Sequence, residues 1–196
     1  MFLWPAGNLW ALFLAYAGLG PKVFGKKPDG AIPLWIKIFY LPFLLYANLV
    51  RDIANGLTSE NPIDQITPEL ILGRRVPPSQ MPEGVKYCVD LTAEFDEPRE
   101  IRESTHYISL PILDGSVPSV ESLRSTLAKL IEGTTFVHCA QGHGRTGLFA
   151  LAFLAERGLI HTFEEGYHLL RQVRPKIHLN KRQERFIRRY IKEFSE

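Results

Sequence analysis

Cysteine is the scarcest reactive side chain in this sequence: Cys88 and Cys139 are the only two among 196 residues. Two cysteines make no disulfide framework. The six histidines are scattered, and no Cys/His cluster has the spacing of a zinc site, so neither a metal nor another cofactor is called for. An excess of one charge is also missing. With 23 basic and 21 acidic side chains the formal net charge is +2, which leaves no electrostatic footprint for nucleic acid. There is no internal repeat and no low-complexity tract. No basic residue precedes the first apolar stretch, so that stretch does not read as a secretory signal peptide. The length suits one domain of about 150 residues plus an appendage.

The appendage is residues 1–50. Phe2 to Leu19 is almost wholly apolar, interrupted by Pro5, Gly7 and Asn8, and Ala31 to Val50 carries a single charge, Lys37, with Pro33 and Pro42. A polar turn between them holds Lys22, Lys26 and Lys27. A helix needs about 20 apolar residues to cross a bilayer; the second stretch has that length and the first only just reaches it. Trp4, Trp10, Trp35, Tyr40 and Tyr46 suit a membrane–water interface, and all three tryptophans of the chain fall here. The expectation is a membrane-associated hydrophobic helical hairpin. Whether it spans or lies in the interface stays open, because the prolines kink or break either stretch. The lysines of the turn would place that turn inside and the rest of the chain outside. A reduced thiol argues for both ends in the cytoplasm, which is the preferred reading. Residues 51–67, with Pro62, read as a polar linker.

The remaining residues, 68–196, alternate strand and helix signals. Glu69–Arg75, Val85–Leu91, His106–Leu110 and Thr134–Cys139 read as strands, and Glu94–Glu103 as an acidic helix-like stretch. Ser119–Glu132 has helical period behind a serine N-cap. Three helices follow: Arg145–Arg157 ending at Gly158, Thr162–Arg174 opening with a Thr162/Glu165 capping box, and Asn180–Phe194 with an apolar face of Phe186, Ile187, Tyr190, Ile191 and Phe194. This pattern implies an α/β fold with a mainly parallel central sheet flanked by helices.

The chain is organised around Val137-His138-Cys139-Ala140-Gln141-Gly142-His143-Gly144-Arg145-Thr146-Gly147. A β-branched strand enters this stretch and the apolar helix Leu148–Leu154 leaves it. Such a glycine-containing loop can turn successive N–H groups inward on one anion above a helix N-terminus. A thiol there meets positive potential from the amides, the helix and Arg145, which favours thiolate. The planar fork of Arg145 grips two oxygens of a phosphoryl group.

His138-Cys139-(five residues)-Arg145-Thr146 resembles the H-C-x5-R-[S/T] signature of the cysteine-dependent protein tyrosine phosphatase superfamily. Ile71-Leu72-Gly73, Val89-Asp90-Leu91-Thr92 and Arg174-Pro175-x-Ile177-x-x-Asn180-x-x-Gln183 are similar to its dual-specificity branch. The resemblance implies a phosphomonoester hydrolase in which Cys139 attacks phosphorus and carries a phosphocysteine intermediate. Arg145 and the loop amides of Ala140, Gln141, Gly142, His143 and Gly144 would hold the equatorial oxygens. Thr146 could hydrogen-bond the sulfur as it leaves, and His138 would orient the loop through hydrogen bonds. The family's general acid falls in the stretch Leu110–Pro118, where Asp114 stands beside Gly115. Asp90 is its rival but ends a strand. Asn180 and Gln183 read first as a helix cap. Cys88 reads as core, with a protective disulfide as the alternative.

The expected substrate is a phosphorylated protein (phosphotyrosine or phosphoserine/threonine). The alternative is a phospholipid monoester such as phosphatidylglycerophosphate or a phosphoinositide. Loop positions Ala140, Gln141 and His143 add no lysine or arginine, which disfavours a multiply charged headgroup. The basic residues Arg171, Arg174, Lys176, Lys181, Arg182, Arg185, Arg188, Arg189 and Lys192 could sit on anionic lipid or form a solvated surface. A pseudophosphatase binding module and an RNA 5′-phosphatase are weaker alternatives.

Overall fold

The computed structural model describes residues 3–195, with side chains from 4 to 193. Phe2 of the first apolar stretch and the Phe194 side chain of the last helix lie outside the described residues.

Thr134, Thr135 and Val137 extend the backbone because their branched Cβ atoms pack well on a pleated surface. They form the central strand of a five-stranded sheet: β1 Ile63–Thr67, β2 Leu70–Arg74, β3 Val85–Thr92, β4 His106–Ile112 and β5 Thr134–Cys139, in the order β1-β2-β5-β3-β4. The β2/β5, β5/β3 and β3/β4 pairs are parallel, and β1 is antiparallel to β2, so the sheet is mixed. Helices α4 Arg99–Ser104, α5 Val120–Leu127, α6 Gly144–Glu156, α7 Phe163–Val173 and α8 Lys181–Ser195 flank it. The larger core joins Leu72, Val89, Leu91 and Val137 of the sheet to α5, α6 and α8. A smaller core on Ile71, Cys88 and Phe136 is closed by Ile101 of α4. Covering both sheet faces buries Cys88, Val89 and Leu91 of β3 and Phe136 and Val137 of β5 on alternate sides. Each fully buried Leu or Phe contributes about 1.5–3 kcal/mol of transfer free energy. Two of the expected caps form: Ser119 Oγ accepts from the Ser122 amide at 3.1 Å and Thr162 Oγ1 from the Glu165 amide at 3.2 Å.

The expected linker over 51–67 is structured instead. A helix runs into it as far as Leu57, and Ile63–Thr67 becomes β1. Its sequence, Ile-Asp-Gln-Ile-Thr between two prolines, is too polar and too short to signal a strand alone; pairing with β2 makes it one.

The N-terminal residues depart furthest from expectation. Among the described residues no helix is long and apolar enough to cross a membrane. The segments fall into α1 Leu3–Leu14, a π turn Ala15–Leu19, a 3-10 turn Gly20–Phe24, α2 Leu34–Phe39 and α3 Leu41–Leu57. The first stretch leaves the α-helix at Ala15 and turns at Gly18 (φ 145°), Pro33 starts α2 rather than interrupting a longer helix, and the second stretch breaks at Tyr40 ahead of Pro42. These pieces fold onto the α/β domain, where Ala15, Phe24, Ile32, Ile36 and Tyr40 pack with Ala93 and Leu113.

Lys26, expected in an exposed turn, is driven into this junction. Its side chain is fully buried, pairs with Asp90, and donates to the Thr92 carbonyl at 2.7 Å. Gly30 (φ 81°) lies flat on Tyr107, where a Cβ would come within 2.4 Å of the ring hydroxyl; no other residue fits. Its carbonyl accepts from the Glu97 amide at 3.2 Å, and Lys37 pairs with Asp96.

Candidate active site

Ligand sites in parallel α/β sheets lie beyond the carboxyl ends of the strands. Here β3, β4 and β5 end side by side and release Glu94, Asp114 and Cys139 into one region. After Cys139 the chain curls from Ala140 to His143 and enters α6 at Gly144. The Gly142 amide donates to Cys139 Sγ at 3.2 Å. Gly142 has φ 73°, and a Cβ there would lie 2.5 Å from the Gly73 carbonyl group, so the curl requires glycine.

Arg145 and Arg174 are the largest fully buried side chains among the described residues. The two terminal nitrogens of Arg145 grip Glu94 at 3.0 and 2.9 Å, and one also donates to the Ile112 carbonyl at 2.9 Å. Burial opposes its charge, but Glu94 and then Cys139 more than offset this and hold it firmly protonated. Burial likewise opposes ionisation of Glu94, and Arg145 overcomes it. Nε of Arg145 is buried without a partner, a donor left for an incoming anion. Asp114 stands at the rim, 80% exposed, with its carboxylate 3.4 Å from Arg145. Tyr16 of the N-terminal segment donates to the Asp114 carbonyl at 3.1 Å.

The expected signature residues therefore converge, with corrections. The Thr146 hydroxyl is buried and makes no hydrogen bond, so the contact to sulfur is not formed; the sulfur's partner is the Gly142 amide. His138 is buried and stacks on Phe136, with neither ring nitrogen at hydrogen-bond distance from a side chain. Burial pushes it down to about 4, so it is neutral at physiological pH. Asp90, Glu97 and His138 offer atoms within 4.8 Å of one another, as a metal site would. The cation there is already Lys26, and Asp90 also accepts from Tyr107 at 2.8 Å, so Asp90 is structural.

His143 lines the cavity over Cys139, with its Nε2 paired to Glu60 at 2.7 Å. Arg174 is buried, not on a basic surface. It donates to the Gly142 carbonyl at 2.9 Å and the Gln141 carbonyl at 3.3 Å, and pairs with Asp64 at 2.6 Å. It fastens the back of the signature loop to β1. Arg188 is also engaged, with Glu164 and Glu184. Asn180 caps α8 as expected and in addition donates to the Gly115 carbonyl at 2.8 Å, while Gln183 donates to the Ser116 carbonyl at 3.2 Å. Both thus hold the loop that carries Asp114. Cys88 and Cys139 are free thiols in separate cores, and burial raises the Cys88 thiol, so a pairing between them has no support.

Sequence reasoning missed Glu94, Glu60 and Tyr16. Glu94 sits in an acidic run with nothing to mark it, and α4 starts only at Arg99. Glu60 and Tyr16 lie 83 and 98 positions from their partners.

A cavity of about 500 Å³ opens over Cys139. Arg145, Asp114, Asn180 and Gln183 line it together with Tyr16, Phe43, Tyr46 and Val50 of the N-terminal segment.

The comparisons with known proteins agree with this geometry. Residues 80–187, more than half of the chain, match the family described as "PTP-SAK: Swiss Army Knife protein, DSP-PTPase phosphatase domain". The chain belongs to that family of DSP-type phosphatase domains. It is similar to "Putative tyrosine phosphatase 197R" of Invertebrate iridescent virus 6, 36% identical over 83 residues that cover 36% of this chain. The match spans only 31% of that viral protein's length. Among solved structures, PTPMT1 in complex with PI(5)P superposes with a TM-score of 0.62 at 16% identity, covering 69% of this chain and 97% of that one. Tk-PTP in its active form gives 0.59 at 20% identity, covering 67% and 97%. Human DUSP28 gives 0.58 at 16%, covering 69% and 97%. At these identities the structures share the fold.

Proposed function

We propose that the chain hydrolyses phosphomonoesters at a membrane surface through a phosphocysteine intermediate. The observation that carries the mechanism is the convergence of Cys139, Arg145 and Asp114 in one cavity, with a backbone amide already on the sulfur. Cys139 Sγ attacks phosphorus while the bond to the ester oxygen breaks, and Asp114 donates its proton to that leaving oxygen. Arg145, through its free Nε, and the amides from Ala140 to Gly144 hold the equatorial oxygens as charge redistributes. Water then attacks the phosphocysteine, Asp114 takes its proton, and the thiolate leaves. Glu94 keeps the guanidinium charged and fixed in plane.

Membrane association rests on the N-terminal surface. Trp4, Trp10, Phe13, Trp35, Leu45 and Tyr46 are each exposed, a composition suited to lying in the headgroup region without spanning. Two free thiols fit a reducing compartment, with the catalytic domain on the cytoplasmic side. Within the phosphorylated-protein and phospholipid classes, the apolar rim of the cavity favours the phospholipid.

The test is phosphate release from a phosphotyrosine peptide, a phosphoserine peptide, phosphatidylglycerophosphate and a phosphoinositide series, with Cys139→Ser as control. Release that disappears in the variant is expected. Binding of these ligands with no release from any would leave a pseudophosphatase.

A further inference from the structure

The cavity over Cys139, at about 500 Å³, is several times larger than a phosphoryl group. Its polar residues crowd the end near the sulfur. Leu12, Phe24, Phe95 and Leu113 add apolar wall, and α3 presents Phe43, Tyr46, Ala47 and Val50 to the cavity. These α3 positions are spaced i, i+3, i+4 and i+7, one face of a helix. No residue of α3 is buried, although most of it is apolar. A core helix would bury that face against the sheet; this one lends it to the active-site cavity.

We infer that the α3 wall binds the hydrocarbon tail of the substrate, which makes that substrate a long-chain phosphate monoester of lipid type. The inference rests on Cys139 as the nucleophile, since that places the phosphate at one end of the cavity and the rest of the molecule along α3. An extended peptide fits this wall poorly. It brings an N–H and a C=O with every residue, and the side of a helix has no backbone group free to pair with them. The polar side chain at this end, Arg51, is engaged with Asp52 and stacks over Phe95. A methylene chain asks only for apolar surface. Phe43 to Val50 runs roughly 10 Å along the helix, enough for a chain of about eight carbons. The face therefore selects for tail length as well as for apolarity.

The test is kcat/KM of the full chain on n-alkyl phosphates from butyl to dodecyl, kept below micelle-forming concentrations. Para-nitrophenyl phosphate and a phosphotyrosine peptide serve as comparators. The expected result is a rise of a few-fold per added methylene, levelling at about eight carbons. Val50 is 46% exposed, so Val50→Glu is tolerated by the fold, and it lowers the dodecyl-to-butyl ratio about tenfold or more. Ile131→Glu, at an exposed position three residues before β5 and away from its Cys139 end, leaves the ratio unchanged. A flat chain-length series with para-nitrophenyl phosphate still hydrolysed overturns the inference while leaving the Cys139 mechanism intact. So does a phosphotyrosine peptide preferred over dodecyl phosphate. Failure to hydrolyse para-nitrophenyl phosphate at all sinks the Cys139 reading and this inference with it.

Discussion

Helices α3 and α6 are both apolar, and they end up in opposite surroundings. Every residue from Arg145 to Ala155 of α6 is buried, and no residue of α3 is. Helix α6 follows a central strand directly, so it packs on the sheet beside α7 and α8 and becomes core. Helix α3 precedes the edge strand and meets the domain along the loops beyond β3 and β4 and at Arg74 of β2, which donates to Asn55 at 3.2 Å. Hydrophobicity shows that a segment avoids water; position in the topology decides whether it is covered by protein. An apolar helix left uncovered beside an active site marks a surface for another apolar phase.

The sharpest way to break this comparison is to cut the tie between the two regions. Lys26→Met leaves Asp90 charged and buried without its partner, with an expected loss of about 3–5 kcal/mol in chemical denaturation. A loss under 1 kcal/mol would mean that the N-terminal layer is an appendage the domain does not need.

A second test asks whether the site belongs to the domain. Glu94→Gln removes the counter-charge of Arg145, and kcat/KM should fall about 100-fold on every substrate, short or long. A fall confined to long-chain substrates would place Glu94 in the apolar half of the cavity.

Glu97 lies at the junction. Burial, and after it the charge of Asp90, raise its carboxyl well above the ordinary carboxylate range. The folded chain therefore holds a proton there that the unfolded chain has released, and stability falls as pH rises toward the folded value. His138 acts in the opposite sense between about pH 4 and 6.5, so the comparison is best made above that window. Between roughly pH 6.5 and 8.5 the wild type should lose about 1–2 kcal/mol that Glu97→Gln does not lose. Parallel profiles would contradict the assignment.

Tyr16→Phe removes only the hydrogen bond to the Asp114 carbonyl. About 1 kcal/mol or less, seen as a few-fold drop in kcat, is expected. Trp35→Ser, at a position 69% exposed, should change folding stability by less than about 0.5 kcal/mol yet weaken binding to lipid vesicles. Unchanged vesicle binding would remove the tryptophan from the membrane face.

What could be read from the sequence was local. The β5–loop–α6 unit, the caps at Ser119, Thr162 and Asn180 and the approximate positions of β2 to β5 each have a signal within a few residues. Strand β1, Glu94, Lys26 and the inward role of Arg174 have none, because their partners stand far along the chain and only the folded sheet brings them close. The N-terminal stretches, which by sequence either span or lie in the interface, form no helix among the described residues long and apolar enough to span, for a related reason. Their apolarity is real, but the turn from Ala15 and the break at Tyr40 ahead of Pro42 divide it into pieces too short to span, and Lys26 and Gly30 hold those pieces against the domain.

The central claim is that phosphate passes through the Cys139 sulfur. Rapid acid quench of the full chain during turnover of a radiolabelled phosphomonoester tests it most directly. One labelled phosphoryl group per chain, on the peptide containing Cys139 and absent in Cys139→Ser, is the predicted result. Continued turnover by Cys139→Ser, or label carried on another residue, would contradict it.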